Sequence, residues 1–194
     1  MVESIFRWVT PNQLTLARIA AVPVLLVLLY LDEPLGNWLA AVLFLIACFT
    51  DYLDGVLARQ RGEITALGKL LDPIADKMLV LSALIFLVSM DIAGAIPTIL
   101  ITAREFAVAG LRSVAAAEGV IIAAAPGAKW KTALQMLATG LLMLHHDPFA
   151  LPLGLVGEIV LWVAAAWTLW TGYDYFAQYF HIINRQPPGA GHSA

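Results

Sequence analysis

Six apolar runs, at about residues 14–31, 38–59, 67–90, 97–118, 130–145 and 155–181, occupy most of this chain, and only short polar breaks divide them. They approach or reach the roughly 17 to 25 residues that a helix needs to cross a bilayer. The expectation is an all-α integral membrane bundle of six transmembrane helices. Composition agrees: 61% of the 194 residues are hydrophobic and 13% are charged, against about 25% charged in an average globular chain. A net charge of −3 is too small to suggest a nucleic-acid partner, and none is expected. The single cysteine, Cys48, lies inside an apolar run, so no disulfide framework and no cysteine metal site is expected.

The chain divides into three parts on this reading. Residues 1–10 form a short interfacial amphipathic helix, with Ile5, Phe6 and Trp8 at the lipid boundary. The charges there are mixed (Glu3, Arg7) and the run after them is too long for a secretory signal. Residues 11–183 form the membrane domain, opened by Thr10 as N-cap, Pro11 as first helical residue and Gln13 reaching back. Residues 184–194 lack apolar side chains to bury and read as a disordered tail. Arg7, Arg59, Arg61, Lys69, Lys129, Lys131 and Arg185 all fall on one side of a six-span topology, and the opposite loops hold no Lys or Arg. Positive residues stay inside, so both termini are expected in the cytoplasm.

One polar stretch interrupts the oil: "DYLDGVLARQRGEITALGKLLDPIADK", residues 51–77. Asp51 and Asp54 are three apart and Asp72 and Asp76 four apart, so each pair shares a helix face. A short link makes the two helices antiparallel neighbours and brings the pairs together at their cytoplasmic ends. Any one aspartate at a helix end serves equally as a cap. Four together repel in a low dielectric unless cations compensate, and oxygen-only ligands favour Mg²⁺, Mn²⁺ or Ca²⁺. Gly55 and Gly68 leave room for a ligand or for close helix packing.

Asp51, Asp54, Gly55, Ala58, Arg59, Gly68, Asp72 and Asp76 match D-x2-D-G-x2-A-R-x8-G-x3-D-x3-D at every fixed position. The chain thereby resembles the CDP-alcohol phosphatidyltransferase family, which moves a phosphatidyl group from a CDP-linked lipid to an alcohol and releases CMP. The resemblance implies that Asp51, Asp54, Asp72 and Asp76 hold a divalent metal, Mg²⁺ or Mn²⁺. It implies that Asp76 is also the catalytic base on the acceptor hydroxyl. Gly55, Ala58, Arg59 and Gly68 would shape the CDP pocket, with Asn12, Thr15 and Arg18 bordering the nucleotide. Capping and snorkelling explain those last three equally well. A homodimer is a further implication of the resemblance.

The second half bears on the acceptor. "REFAVAGLR", "AAEGV" and "KWKTALQM" resemble the branch of this family that makes phosphatidylglycerol phosphate, as does "PNQLTLARI" near the N-terminus. Ala128 departs from it, standing where a glycine is expected before "KWKT". Arg104, Arg112, Lys129 and Lys131 are candidates for an anion pocket suited to an acceptor with its own phosphate. The plainer readings are an ion pair between Glu105 and Arg112, seven apart, and membrane anchoring by the lysines around Trp130. The expected substrates are CDP-diacylglycerol and glycerol 3-phosphate. The expected setting is a bacterial-type inner membrane, with lipid around the helices and the active site facing the cytoplasm.

Two alternatives stay open. A sister enzyme would use inositol phosphate, phosphatidylglycerol or serine as acceptor. A divalent-cation transporter would use the aspartates as its ion site, although it would place them near the bilayer midplane. His145 and His146, beside Asp147 at the far end of the fifth helix, read as a solvated terminus.

Overall fold

The computed structural model describes residues 11–61, 66–118, 127–146 and 151–183; side chains are described there except at 11–15, 51–61, 66–76 and 128. Six α-helices follow in order: α1 (Pro11–Tyr30), α2 (Pro34–Arg61), α3 (Ala66–Ser89), α4 (Ala95–Ala117), α5 (Ala128–Met143) and α6 (Leu153–Ile183). Among the described residues there is no strand. The expected interfacial segment and tail lie outside the described residues. Proline opens α1 and α2, where the missing N–H costs nothing because a first-turn amide has no intrahelical partner.

The turns explain where the helices stop. Asp32 and Asp91 take positive φ values of 47° and 58°, a left-handed conformation that aspartate tolerates better than most residues. At the α3–α4 turn, the Gly94 amide donates to the Glu158 carboxylate of α6 at 2.9 Å. At the other end of α4, the Tyr179 hydroxyl of α6 donates to the Glu118 carboxylate at 3.0 Å.

α1 packs on α2 and α3, α6 packs on α5 and α4, and α2 meets α5 between the two groups. The buried interior joins Leu25, Leu29, Phe44, Leu84, Leu87, Ile101, Leu142 and Leu161 with many alanines, among them Ala40, Ala41, Ala83, Ala138, Ala164 and Ala165. Large apolar side chains such as Val27, Ile46, Phe49, Ile85, Ile99, Phe106, Trp162 and Trp170 point outward. Small residues inside and large apolar ones outside is the distribution expected where the surrounding solvent is lipid. Buried hydroxyls close on their own helices: Thr98 donates to the Gly94 carbonyl at 2.9 Å and Thr139 to that of Gln135 at 2.7 Å, so no polar atom faces hydrocarbon there.

Among the described helices, one, α6, is long and apolar enough by itself to cross a membrane. Shorter apolar stretches run over Leu16–Tyr30, Pro34–Thr50 and Lys77–Ser89. α2 and α3 become polar where they enter the aspartate stretch, and α4 carries Arg104, Glu105 and Arg112. The six expected helices are therefore present, while the number of spans is a separate matter.

Candidate active site

The two aspartate pairs lie on unbroken helix. Asp51 and Asp54 sit in the C-terminal part of α2, and Asp72 and Asp76 in the N-terminal part of α3. Helical backbone through both pairs keeps each pair on one face, and α2 and α3 are in contact. That register and the oxygen-only donor set fit a hard divalent cation. The side chains of these four residues, and of Asn12, Thr15, Gly55, Ala58, Arg59 and Gly68, lie outside the described ones. Arg18 is described and buried, on the inward face of α1.

Lys77, the residue after Asp76 on α3, opens onto a cavity. Lys77 of α3, Arg104, Glu105 and Arg112 of α4, Lys131 and Gln135 of α5 and Tyr175 of α6 line a space of about 510 Å³. This is within the roughly 300–1,000 Å³ typical of small-molecule sites. Among these lining residues four cations face one carboxylate, which leaves three positive charges in excess.

Glu105 is the hub of that charge. The Lys131 ammonium donates to its Oε1, Arg104 Nη1 donates to the same oxygen at 3.1 Å, and Lys77 Nζ stands 3.9 Å from Oε2. Lys77 also donates to the Glu105 carbonyl at 3.4 Å. One carboxylate thus gathers cations from α3, α4 and α5, and an acid at this depth needs such partners. Among the described residues no ion pair joins Glu105 to Arg112, so the simple seven-residue pair is not formed. Arg112 is exposed at the cavity.

Arg104 is held differently. Its Nε donates to the Thr168 carbonyl at 2.8 Å and its Nη2 to the Thr171 hydroxyl at 3.1 Å, while its guanidinium lies 5.6 Å from the centre of the Tyr175 ring. Each of its three nitrogens has a protein acceptor, so Arg104 belongs to the wall of the cavity and ties α4 to α6. Gly172 makes this possible: a Cβ there would stand 3.0 Å from Arg104 Cγ and 3.1 Å from Nε. Lys129, on the first turn of α5, is exposed and does not line the cavity. Trp167 Nε1 donates to the Gly127 carbonyl at 3.1 Å, which fixes the start of the helix that carries Lys131.

Of the four candidate cations, the structure brings Arg104, Arg112 and Lys131 to one cavity and leaves Lys129 outside. Sequence reasoning passed over Lys77, Gln135 and the α6 threonines. Tyr175 is buried beneath the Arg104 guanidinium. The available signals were Lys77's place directly after the last signature aspartate and the threonine pair Thr168 and Thr171, three apart on an otherwise apolar helix.

A family profile described as CDP-alcohol phosphatidyltransferase matches residues 8–170. A protein of Rickettsia bellii (strain RML369-C) named CDP-diacylglycerol–glycerol-3-phosphate 3-phosphatidyltransferase is 47% identical over 167 residues, covering 86% of this chain and 92% of its own. A protein of the same name from Bacillus subtilis (strain 168) is 42% identical over 185 residues, covering 89% of this chain and 96% of its own. A chloroplastic/mitochondrial protein of Arabidopsis thaliana, number 1 of that name, is 34% identical over 187 residues, covering 89% of this chain and 63% of its own.

Proposed function

Because this chain belongs to the CDP-alcohol phosphatidyltransferase family, we propose that it transfers the phosphatidyl group of CDP-diacylglycerol to sn-glycerol 3-phosphate, giving phosphatidylglycerol phosphate and CMP. The relatives' names supply the activity. The observation that carries the acceptor is the cationic cavity that Lys77, next to Asp76 in sequence, helps to line. A neutral acceptor such as serine's hydroxyl end or glycerol has no use for three uncompensated positive charges. A phosphate dianion does.

Asp51, Asp54, Asp72 and Asp76 would hold Mg²⁺ or Mn²⁺. When bound, the metal would neutralise charge on the donor pyrophosphate. In the cavity, Arg112 and Lys131 present donors to the acceptor phosphate, Lys77 adds charge from α3, and Arg104 supports them from behind. This orients the acceptor's free primary hydroxyl toward Asp76. Asp76 takes the hydroxyl proton as that oxygen forms a bond to the phosphatidyl phosphorus, and the bond from that phosphorus to the CMP phosphate oxygen breaks. Asn12, Thr15, Arg18, Gly55, Ala58, Arg59 and Gly68 would border the nucleotide, and Lys129 would act as an anchor at the membrane surface.

The outward apolar surface supports a reading in which all six helices span the membrane, with the signature at the cytoplasmic face of an inner membrane. The donor's acyl chains then stay in the bilayer while its headgroup meets the aspartates. A homodimer belongs to the same reading. Purified protein given CDP-diacylglycerol should release CMP when glycerol 3-phosphate is added with Mg²⁺ or Mn²⁺, and not with serine, inositol phosphate or phosphatidylglycerol. CMP release driven equally by one of those acceptors would replace the assignment.

A further inference from the structure

At the end of the bundle away from the signature, the turn between α1 and α2 meets the end of α5. Asp32 of the turn lies between two imidazoles: its Oδ1 is 3.3 Å from His145 Nε2 and 3.1 Å from His146 Nε2. We propose that Asp32, His145 and His146 form a binding site for a zinc-class divalent cation, separate from the aspartate centre, that clasps the α1–α2 turn to α5.

The donor set comes first. Two imidazole nitrogens and one carboxylate oxygen make a combination that zinc takes, with a fourth position left to water. Hard cations such as Mg²⁺ prefer oxygen alone, so the two ends of the molecule select different metals. Geometry comes second. Zinc holds nitrogen and oxygen at about 2.0–2.2 Å in a tetrahedron, which sets neighbouring ligand atoms about 3.3 Å apart. The two Nε2–Oδ1 separations already match that edge, and the three ligand atoms lie within 4.8 Å of one another.

Hydrogen bonding alone explains the cluster less well. Asp32 Oδ1 also accepts from Asn37 Nδ2 at 3.2 Å, so three donors would crowd one oxygen. The two rings have centroids 4.2 Å apart, which places both imidazoles on the same side of Asp32. His145 Nδ1 is shielded and has no hydrogen-bond partner among the described residues, which leaves Nε2 as the atom through which that ring acts. The backbone contributes as well. Asp32 holds φ at 47°, uncommon away from glycine, and this turns its carbonyl oxygen to within 3.2 Å of His146 Nε2.

The test uses the full-length protein in detergent, stripped with chelator, returned to excess Mg²⁺ to occupy oxygen sites, and titrated with Co²⁺. The expected result is visible absorption of four-coordinate cobalt that saturates at one equivalent and is displaced by Zn²⁺. His146→Ala, at an exposed position, should abolish that absorption while CMP release stays at the wild-type rate. Asp32→Asn should weaken cobalt binding at least tenfold. Wild-type protein without four-coordinate cobalt, or a His146→Ala protein that keeps it, would overturn the proposal.

Discussion

In the proposed reaction Asp76 and Arg112 carry different halves of the chemistry, and their variants should separate. A neutral amide at position 76 cannot take the acceptor proton, so Asp76→Asn should lower turnover by about 10²-fold or more, the usual worth of a positioned base. Binding of CDP-diacylglycerol, followed by displacement of a labelled nucleotide, should persist. Arg112 stands at the cavity without a protein carboxylate among the described residues, so its charge is available to a ligand. Arg112→Ala should raise the KM for glycerol 3-phosphate about tenfold or more, as expected for the loss of a charge-assisted hydrogen bond of roughly 1.5–3 kcal/mol. Arg112→Lys should recover part of this, because it keeps the charge and loses the two-pronged fork. Steady-state kinetics on the two variants decide the matter.

Helix limits were readable from apolar runs and proline positions: α1 to α6 fall within a few residues of the expected segments. The signature was readable too, because its spacing is local to two consecutive helices. Contacts between distant helices were not. Arg104 and Thr168 are 64 residues apart, and nothing in the spacing of "TAREF" says that its arginine will be spent on α6. For the same reason Glu105 read as a partner for Arg112 on its own helix, whereas its cations come from α3, α5 and the adjacent residue. The α4–α6 joint depends on the missing side chain at Gly172. Gly172→Leu should force Arg104 from its acceptors and cost about 1–3 kcal/mol, the usual range for overpacking, with acceptor affinity falling alongside. Gly140 on α5 is the control, since a Cβ there meets nothing within 4 Å. Gly140→Ala should leave activity unchanged and add up to about 1 kcal/mol through helix propensity. Thermal unfolding in detergent reads both.

The whole molecule places two unlike ends on one bundle. One end carries the signature segments of α2 and α3 and the cationic cavity; the other holds the α1–α2 turn, with Asp32 and its two histidines. If the bundle spans the membrane as proposed, each end faces a different compartment. In a Cys48→Ala background, Ser193→Cys in the tail should react with an impermeant maleimide only from the cytoplasmic side, and Ser89→Cys at the end of α3 only from the other. The same labelling pattern at both positions would break the six-span topology. In the proposed reaction the cavity beside Asp76 selects an acceptor by its phosphate. That selection is read from the ratio of kcat/KM for glycerol 3-phosphate to that for glycerol on the wild-type enzyme, followed as CMP release at fixed CDP-diacylglycerol and metal. Two charge-assisted contacts, from Arg112 and Lys131, predict a ratio of about 10² or more. A ratio near one would mean that the positive cavity does not bind the acceptor.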